Sequence, residues 1–334
     1  MSGFIADYGL FLAKTVTLLI ALGFALVMIA GFSRRGGRQD AELKVEKLNE
    51  RFRNMARTVQ RTVMNKDQFK KLTKADKKQR KREKKSEERR KRYFVLDFKG
   101  DIRASAVAHL REEISAVASV ADKNDEVVLR LENPGGAVHE HGLAASQLQR
   151  LKTRGIPLTV IVDKVAASGG YLMACIADRI IAAPFAVIGS IGVIAQLPNF
   201  NRALKQKGVD FEQITAGKYK RTITMFGENT DEGRAKLREE LEEIHALFKD
   251  LIAEHRPELD LESVATGEHW YGSRALELKL VDELGSSDDY LLQAADNGDL
   301  YQVTYRSKQN LQEKVLSMFE AAADRMGWSI GRGV

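Results

Sequence analysis

In the central part of this chain, apolar and polar positions follow two alternating patterns. Short stretches rich in apolar residues at 93–98, 126–131 and 158–162 have the length of strands, and the first alternates as a strand does. Between them, over 104–120 and 138–154, apolar residues recur every three or four positions, as on one face of a helix. Strands and helices that alternate in this way form βαβ units. The pattern therefore predicts an α/β fold with a mostly parallel sheet and right-handed crossovers.

The next region includes an apolar run that resembles a membrane span. Residues 180–200 carry no charge, but glycines and prolines interrupt them. Two buried strands joined by a Gly-rich turn explain this run better, because strands covered on both faces read as continuous apolar stretches. A further strand is predicted at 212–215 and a long helix at 231–254. The amphipathic stretch at 311–326 is expected to dock on the domain or on a partner subunit.

Residues 9–32 are predicted to form a single transmembrane helix. The stretch 15–32 carries no charge, and the Lys14 side chain can extend to the lipid headgroups. No small-residue cleavage site follows, which favours an uncleaved anchor over a signal peptide. Arginines at positions 34, 35 and 38 follow directly. The positive-inside rule then places the C-terminal side in the cytoplasm.

Residues 33–92 are predicted to be a basic connector, partly helical. Its apolar positions alternate spacings of three and four, at Val45, Leu48, Phe52, Met55 and Val59. This spacing fits a short coiled-coil seam, or equally an amphipathic helix that lies on the bilayer or on the folded domain. The Lys/Arg run that follows is typical of a solvated, mobile linker, and near a membrane it could also hold anionic lipid.

Composition and charge narrow the possible functions. The chain has 334 residues, 44% of them hydrophobic, and can bury a sizeable core. Its net charge of +7 comes from residues 64–93, with fifteen basic and five acidic side chains, so the remainder is slightly acidic. That basic run lacks interleaved aromatic residues, so no nucleic-acid partner is expected. Neither metal nor cofactor is expected, because no Cys/His ligand spacing occurs. The single Cys175 is interpreted as a core residue.

One serine stands where a predicted strand meets a predicted helix. Ser168 is flanked by alanine and glycine, which lets a substrate carbonyl approach, and a Pro-Gly-Gly loop lies at 134–136. Free backbone N–H groups at such a turn can stabilise an oxyanion. A serine hydroxyl also needs a base to accept its proton. The residues leave that base open between the lysines of the 217–220 segment and the histidines at 139 and 141.

Several motifs occur together in a fixed order. They are Pro134-Gly135-Gly136, Ala167-Ser168-Gly169-Gly170-Tyr171, Gly189-Ser190-Ile191-Gly192-Val193, Gly217-Lys218-Tyr219-Lys220, Trp270-Tyr271-Gly272 and Leu280-Val281-Asp282-Glu283-Leu284-Gly285. By these motifs, the chain over about 93–290 resembles the signal peptide peptidase A family of serine proteases. Relatives often have Asn-Ser-Pro-Gly-Gly where this chain has Glu132-Asn133-Pro134-Gly135-Gly136, and the effect of the added carboxylate on specificity is open.

The resemblance implies a ClpP/crotonase-type fold and a Ser-Lys dyad. By motif position, Ser168 would be the nucleophile and Lys220 the general base, with Lys218 ranked second. Ser190 would orient the lysine, and the Gly136 and Gly169 amides would hold the oxyanion.

The resemblance also implies partners and a location. Relatives form rings in which serine and lysine come from neighbouring subunits, so we expect a homo-oligomer, of which an octamer is one candidate. The expected location is a bacterial inner membrane, and the expected substrates are peptides or unfolded, membrane-derived protein segments. The side of the membrane is open, because relatives act outside the cytoplasm while the charge pattern favours the inside.

Two other functions remain open from the residues. One is the same fold with a Ser-His base. The other is a non-enzymatic membrane scaffold that binds anionic lipid or partners through its basic connector. The predicted domains are the anchor (1–32), the connector (33–92), the ClpP/crotonase-like peptidase domain (93–300) and a C-terminal amphipathic helix with its tail (301–334).

Overall fold

A computed structural model of the chain describes residues 7–19, 41–83 and 89–307. The chain divides into two compact units, one formed by 43–305 and the other by 1–42 with 306–334. In the terminal unit, residues 7–19 are helical (α1) and exposed. None of the helices that the structure describes is both long and apolar enough to cross a bilayer. Most of the predicted span 9–32, like the predicted helix at 311–326, lies outside the described residues.

The larger unit contains nearly all of the regular structure. Its elements in chain order are β1 (Ala41–Lys47), α2 (Leu48–Val63), α3 (Lys66–Glu83), β2 (Lys91–Lys99), α4 (Val107–Ala118), β3 (Glu126–Glu132), α5 (Val138–Thr153), β4 (Leu158–Val162), β5 (Val165–Ala167), α6 (Gly169–Ala174), β6 (Arg179–Ala182), β7 (Val187–Gly189), α7 (Asn201–Gln206), α8 (Asp231–His255), α9 (Leu261–Val264), β8 (His269–Tyr271), α10 (Gly272–Glu277), β9 (Glu283–Leu284), α11 (Ser287–Asn297) and β10 (Gly298–Ser307).

The main sheet has seven strands in the order β1-β10-β2-β3-β4-β6-β9. The pairs from β10 through β9 are all parallel, with Leu96 opposite Leu129 and Leu129 opposite Val160. Every residue of β4 is buried, as expected for a strand covered on both faces. The predicted α/β class with a mostly parallel sheet is therefore confirmed.

Strand β2 shows how the sheet separates two layers of core. Phe94, Leu96 and Phe98 face the larger hydrophobic cluster, which includes side chains of α4, α5 and α6. Tyr93 and Val95 alternate with them and face a second cluster. The second cluster includes side chains of α2 and α11. Helices thus cover both faces of the sheet.

A second, three-stranded sheet brings together the segments that contain Ala167, Gly189 and Trp270. Its order is β5-β7-β8, with β5 and β7 parallel and β7 and β8 antiparallel. A single bridge between Asn133 and Ala166 joins the end of β3 to β5. The chain leaves β5 at Ala167 and enters α6 at Gly169. Ser168 is therefore held in a one-residue turn beside the end of β3.

Part of the predicted connector packs on the domain. Leu48 is buried in the second core cluster, and Phe52 packs against it. Val45 lies in a strand and is exposed, as are Met55 and Val59. Of the two readings of this spacing, the structure shows an amphipathic helix that contacts the folded domain. The following basic run forms α3, whose described lysines are exposed.

Two sequence predictions differ from the structure. The strand predicted at 212–215 is wrong, because these residues pair with no strand and are exposed. A short segment becomes a strand only where the edge of a neighbouring strand is free to form hydrogen bonds with it. The uncharged run 180–200 supplies β6 and β7 as predicted, but residues 194–200 continue as an exposed segment. The long helix predicted at 231–254 is confirmed as α8.

Candidate active site

Ser168 occupies a strained backbone position. Its φ of 50° and ψ of −120° place a non-glycine residue at positive φ, which costs on the order of 1–3 kcal/mol. Two main-chain bonds fix it: its N–H donates to Gly189 O at 2.7 Å, and its carbonyl accepts from Leu172 N at 3.0 Å. The residue is only half-buried. The turn therefore leaves the side chain of Ser168 accessible at the start of α6.

The Pro-Gly-Gly loop lies directly against Ser168. Gly135 has φ of 93°, and a Cβ on it would lie 2.7 Å from Ser168 Cβ, so only glycine fits. Gly136 has φ of 152° and is exposed, with its Cα close to the backbone of Ile102. Within the described part of the chain, the amides of Gly136 and Gly169 have no bonded acceptor. Two free donors thus lie on the two segments that meet at Ser168, as an oxyanion hole requires.

Ser190 lies next to this turn. It also has positive φ, 53°, and its N–H donates to Glu268 O at 2.6 Å. Its chain neighbour Gly189 accepts the Ser168 N–H, so the two serine turns are joined through one residue. Ser190 is half-buried, and its hydroxyl has no hydrogen-bond partner among the described residues. That hydroxyl is free to bond an incoming group.

The lysine predicted as base does not contact Ser168 within this single chain. Lys220 lies in an exposed loop, and in the described part of the chain its ammonium makes no hydrogen bond or ion pair. Lys218 donates to Glu232 at 2.8 Å. That hydrogen bond raises the pKa of Lys218 above its ordinary value, the reverse of what a general base needs. Of the two lysines, only Lys220 has a free ammonium.

The two histidines considered as bases lie in different environments. The His139 side chain is 83% exposed, and its Nε2 lies 3.7 Å from the Glu140 carboxylate. His141 is fully buried. Its Nδ1 lies 3.0 Å from Ala137 O and its Nε2 3.2 Å from Asn133 Oδ1. Both ring nitrogens of His141 are therefore occupied by groups other than Ser168.

Two peptidase family models match consecutive parts of this chain. Residues 3–148 match the family model described as peptidase family S49 N-terminal, and residues 150–301 match the model described as peptidase family S49. The chain belongs to peptidase family S49. Its family is thus one of peptidases.

Individual S49 relatives match over nearly the whole chain. A protein named probable protease SohB from Haemophilus influenzae is 47% identical over 335 residues, covering 97% of this chain and 95% of that protein. Another probable protease SohB, from Buchnera aphidicola subsp. Acyrthosiphon pisum, is 47% identical over 308 residues and 92% of each chain. Among solved structures, a ClpP1 mutant from Listeria monocytogenes matches at 13% identity with a TM-score of 0.38, over 60% of this chain and 94% of that one.

The structure brings most of the predicted S49 site residues together. Ser168 and Gly169 lie against Gly135, the neighbour of Gly136 in the glycine loop, and Ser190 follows Gly189, which accepts the Ser168 N–H. Sequence reasoning missed the role of Asn133, which is fully buried and bonds both the glycine loop and a histidine. Its position before the Pro-Gly-Gly motif was the available signal.

The unusual carboxylate before the motif forms ion pairs with two lysines. Glu132 accepts from Lys164 at 3.0 Å and lies 3.5 Å from Lys99. The hydrogen bond from Lys164 lowers the pKa of Glu132. The Glu132 carboxylate therefore binds lysines at the end of β2 and in the segment between β4 and β5.

Cys175 is a core residue in this S49 chain, as predicted. It is fully buried, and burial raises the pKa of its thiol to about 12. A thiol held protonated in this way is a poor nucleophile. Among the described residues, no group of three or more His, Cys, Asp or Glu side chains is arranged to hold a metal ion.

Proposed function

We propose that this chain is a serine endopeptidase that uses a Ser168–Lys220 dyad. The observation that carries the proposal is the Ser168 turn, with its strained φ and the free amides of Gly136 and Gly169 on either side. Strained nucleophile turns of this kind cluster at active sites. Membership of a peptidase family supports peptide bonds as the substrate.

In the proposed reaction, Ser168 Oγ attacks the peptide carbonyl carbon while the neutral amine of Lys220 accepts the hydroxyl proton. The carbonyl oxygen becomes an oxyanion and accepts hydrogen bonds from the Gly136 and Gly169 amides. Removal of one such donor lowers kcat by about 10²–10³ in a well-studied protease. Collapse breaks the C–N bond, and Lys220 donates its proton to the leaving amine. Water then hydrolyses the acyl-serine, with Lys220 as base, and releases the enzyme.

A neutral lysine at the site requires an environment that this single chain does not provide. Lys220 is exposed, and a lysine serves as a base near neutral pH only after desolvation lowers its pKa. A second copy of the chain that covers the Lys220 loop and places its ammonium beside a neighbour's Ser168 would supply that desolvation. Ser190, whose hydroxyl is free, would accept a hydrogen bond from the incoming ammonium.

The surface around Lys220 supports assembly into a homo-oligomer, with an octameric ring as one candidate. Monomeric proteins rarely expose large contiguous apolar patches. The segment 194–226 exposes large apolar side chains at Ile194, Leu197, Phe200, Val209, Phe211, Ile214, Tyr219 and Phe226. We propose that neighbouring copies cover this segment in a ClpP-type ring. A membrane anchor at 9–32 would hold the ring at a bacterial inner membrane, where it would cleave peptides and unfolded or membrane-derived segments.

The test is casein hydrolysis by the full chain in detergent, with Ser168→Ala, Lys220→Ala and Lys218→Ala in parallel. Lys218→Ala is the matched control, because it removes a lysine two positions away that is bonded to Glu232. The proposal predicts loss of at least about 10³-fold in kcat for the first two variants and at most a small change for the third. Wild-type activity retained in Lys220→Ala, with assembly unchanged, would overturn the dyad.

A further inference from the structure

The buried polar pair beneath the Ser168 turn has a role of its own. Asn133 and His141 are both fully buried, in a layer where most neighbours are apolar. Resting on the proposed function, we propose that the Asn133–His141 pair is a positioning device. It aligns the Gly136 and Gly169 amides for the oxyanion, and so acts on the chemical step rather than on substrate binding.

Asn133 is held by its main chain on two sides. Its N–H donates to Val165 O at 2.8 Å, and its carbonyl accepts from Ala167 N at 3.0 Å. A Cβ on Gly170 would overlap that same carbonyl, so the first turn of α6 rests on it. Asn133 is therefore fixed between the strand that precedes Ser168 and the helix that follows it.

The side chain of Asn133 reaches from this fixed position to the glycine loop. Its Oδ1 accepts the N–H of Gly135 at 2.9 Å. Turning the amide around would place Nδ2 against that N–H, two donors facing each other, so the bond to Gly135 defines the orientation. Its Nδ2 then faces the sulfur of Met173 at 3.3 Å. The position of Gly135, and with it the next amide along the chain, depends on Asn133 Oδ1.

His141 connects this arrangement to the second donor. Its ring packs so closely on Gly169 that a Cβ there would overlap three of its carbon atoms. Its Nε2 lies 3.2 Å from Asn133 Oδ1. The imidazole therefore contacts Gly169, which carries one of the two oxyanion amides. It also bonds Asn133, whose side chain holds the loop that carries the other amide, that of Gly136.

The protons on His141 decide whether this connection exists. Both ring nitrogens face oxygen acceptors. Nδ1 faces the main-chain carbonyl of Ala137, and Nε2 faces the side-chain Oδ1 of Asn133. A bond to Asn133 forms only when Nε2 carries a proton, because Oδ1 is an acceptor. A side chain at position 141 must therefore supply a donor at the Nε2 position, as well as a flat surface against Gly169.

The experiment compares three substitutions at His141 in the full-length protein. His141→Phe keeps the ring and removes both nitrogens. His141→Gln keeps an amide donor near the Nε2 position, and His141→Asn keeps one only near Nδ1. His139→Phe is the matched control, since His139 lies two residues away on α5 and is 83% exposed. A fluorescent fluorophosphonate probe that acylates the serine gives the maximal labelling rate and the half-saturating concentration separately.

We expect His141→Phe and His141→Asn to lower the maximal labelling rate about ten- to hundred-fold, with half-saturation within about twofold of wild type. His141→Gln restores most of the rate, and His139→Phe leaves it unchanged. Amide hydrogen exchange supplies a readout besides activity: we expect faster exchange of the Gly135 amide, which bonds Asn133 Oδ1, in the Phe and Asn variants. If His141→Phe fails to fold, the Gln and Asn variants decide the comparison.

Three results would count against the pair. Equal labelling rates for Gln and Asn, unchanged exchange of the Gly135 amide, or an effect on the half-saturating concentration alone would each overturn the positioning role. A wild-type protein that the probe does not label at Ser168 would instead refute the proposed function on which this role rests. If the wild type is labelled at Ser168 and the His141 variants have the same maximal labelling rate, only the positioning role is refuted.

Discussion

Glu113 offers a sharp physical test of the core, because it is a carboxyl group buried between α4 and β10. It is only 4% exposed. One oxygen accepts the N–H of Tyr305 at 2.8 Å, while the other has no hydrogen-bond partner in the described part of the chain. Burial, with a smaller contribution from the nearby Asp97 charge, raises the pKa of Glu113 from 4.5 to about 7. Folding therefore favours the protonated form of the Glu113 carboxyl group.

The sign and size of the effect follow from proton linkage. The folded-state pKa of Glu113 lies above that of the unfolded chain. The stability that the protonated carboxyl contributes is therefore fully present below about pH 4.5 and is lost as the pH rises through 7. The gap between the two pKa values corresponds to about 3 kcal/mol. Glu113→Gln keeps an acceptor for Tyr305 and stays neutral. We expect it to be more stable than wild type by about 3 kcal/mol at pH 8, and by about 1 kcal/mol at pH 5.

Urea unfolding followed by circular dichroism at both pH values measures this difference. Glu112→Gln is the control, because Glu112 is adjacent in sequence and exposed. A constant offset between Glu113→Gln and wild type at the two pH values would refute the raised pKa. A pH-dependent gain of the same size in Glu112→Gln would show that the effect is not local to the buried site.

Three further substitutions test the packing around the site and sheet. Asn49→Ala removes three hydrogen bonds of a buried side chain, to two carbonyls and one amide of α11 and β10. It should lower the free energy of unfolding in urea by about 2–4 kcal/mol, whereas Asn54→Ala at an exposed position should lower it by less than about 0.5 kcal/mol. Gly135→Ala, at φ of 93° against the Ser168 turn, should abolish fluorophosphonate labelling. Gly142→Ala, which meets open space on α5, should keep the labelling and raise stability by up to about 1 kcal/mol. Tyr171→Phe leaves one buried carbonyl without its donor and should lower the unfolding free energy by about 1–3 kcal/mol. Equal unfolding midpoints for the two asparagine variants, equal labelling of the two glycine variants, or an unchanged midpoint in the tyrosine variant would contradict these expectations.

Sequence patterns predicted those parts of the fold that depend on local information. The mostly apolar, β-branched run of β4 predicted a strand covered on both faces, and the small residues around Ser168 marked a tight turn. Contacts between distant positions left no such mark. Asn49 bonds the backbone of Leu300 across 251 positions, so a helix of the connector became part of the domain.

The same limit applies to the candidate site. From the sequence, His141 follows the glycine loop and was a candidate base, and no supporting role was predicted for it. Only the direction of its two ring nitrogens, towards Ala137 and Asn133, separates these roles. The proposed base raises the opposite difficulty. The motif predicts Lys220, but the single chain does not place it beside Ser168, and we propose that another copy of the chain does.

The most direct test of the central claim mixes two variants that are expected to be inactive. Ser168→Ala keeps Lys220, and Lys220→Ala keeps Ser168. A ring assembled from both variants therefore contains interfaces at which one copy supplies the serine and its neighbour supplies the lysine. For random co-assembly at equal amounts, we predict about a quarter of wild-type casein hydrolysis. Inactive mixtures whose co-assembly is verified by differently tagged copies, beside an active wild type, would contradict a Ser168–Lys220 dyad shared between subunits.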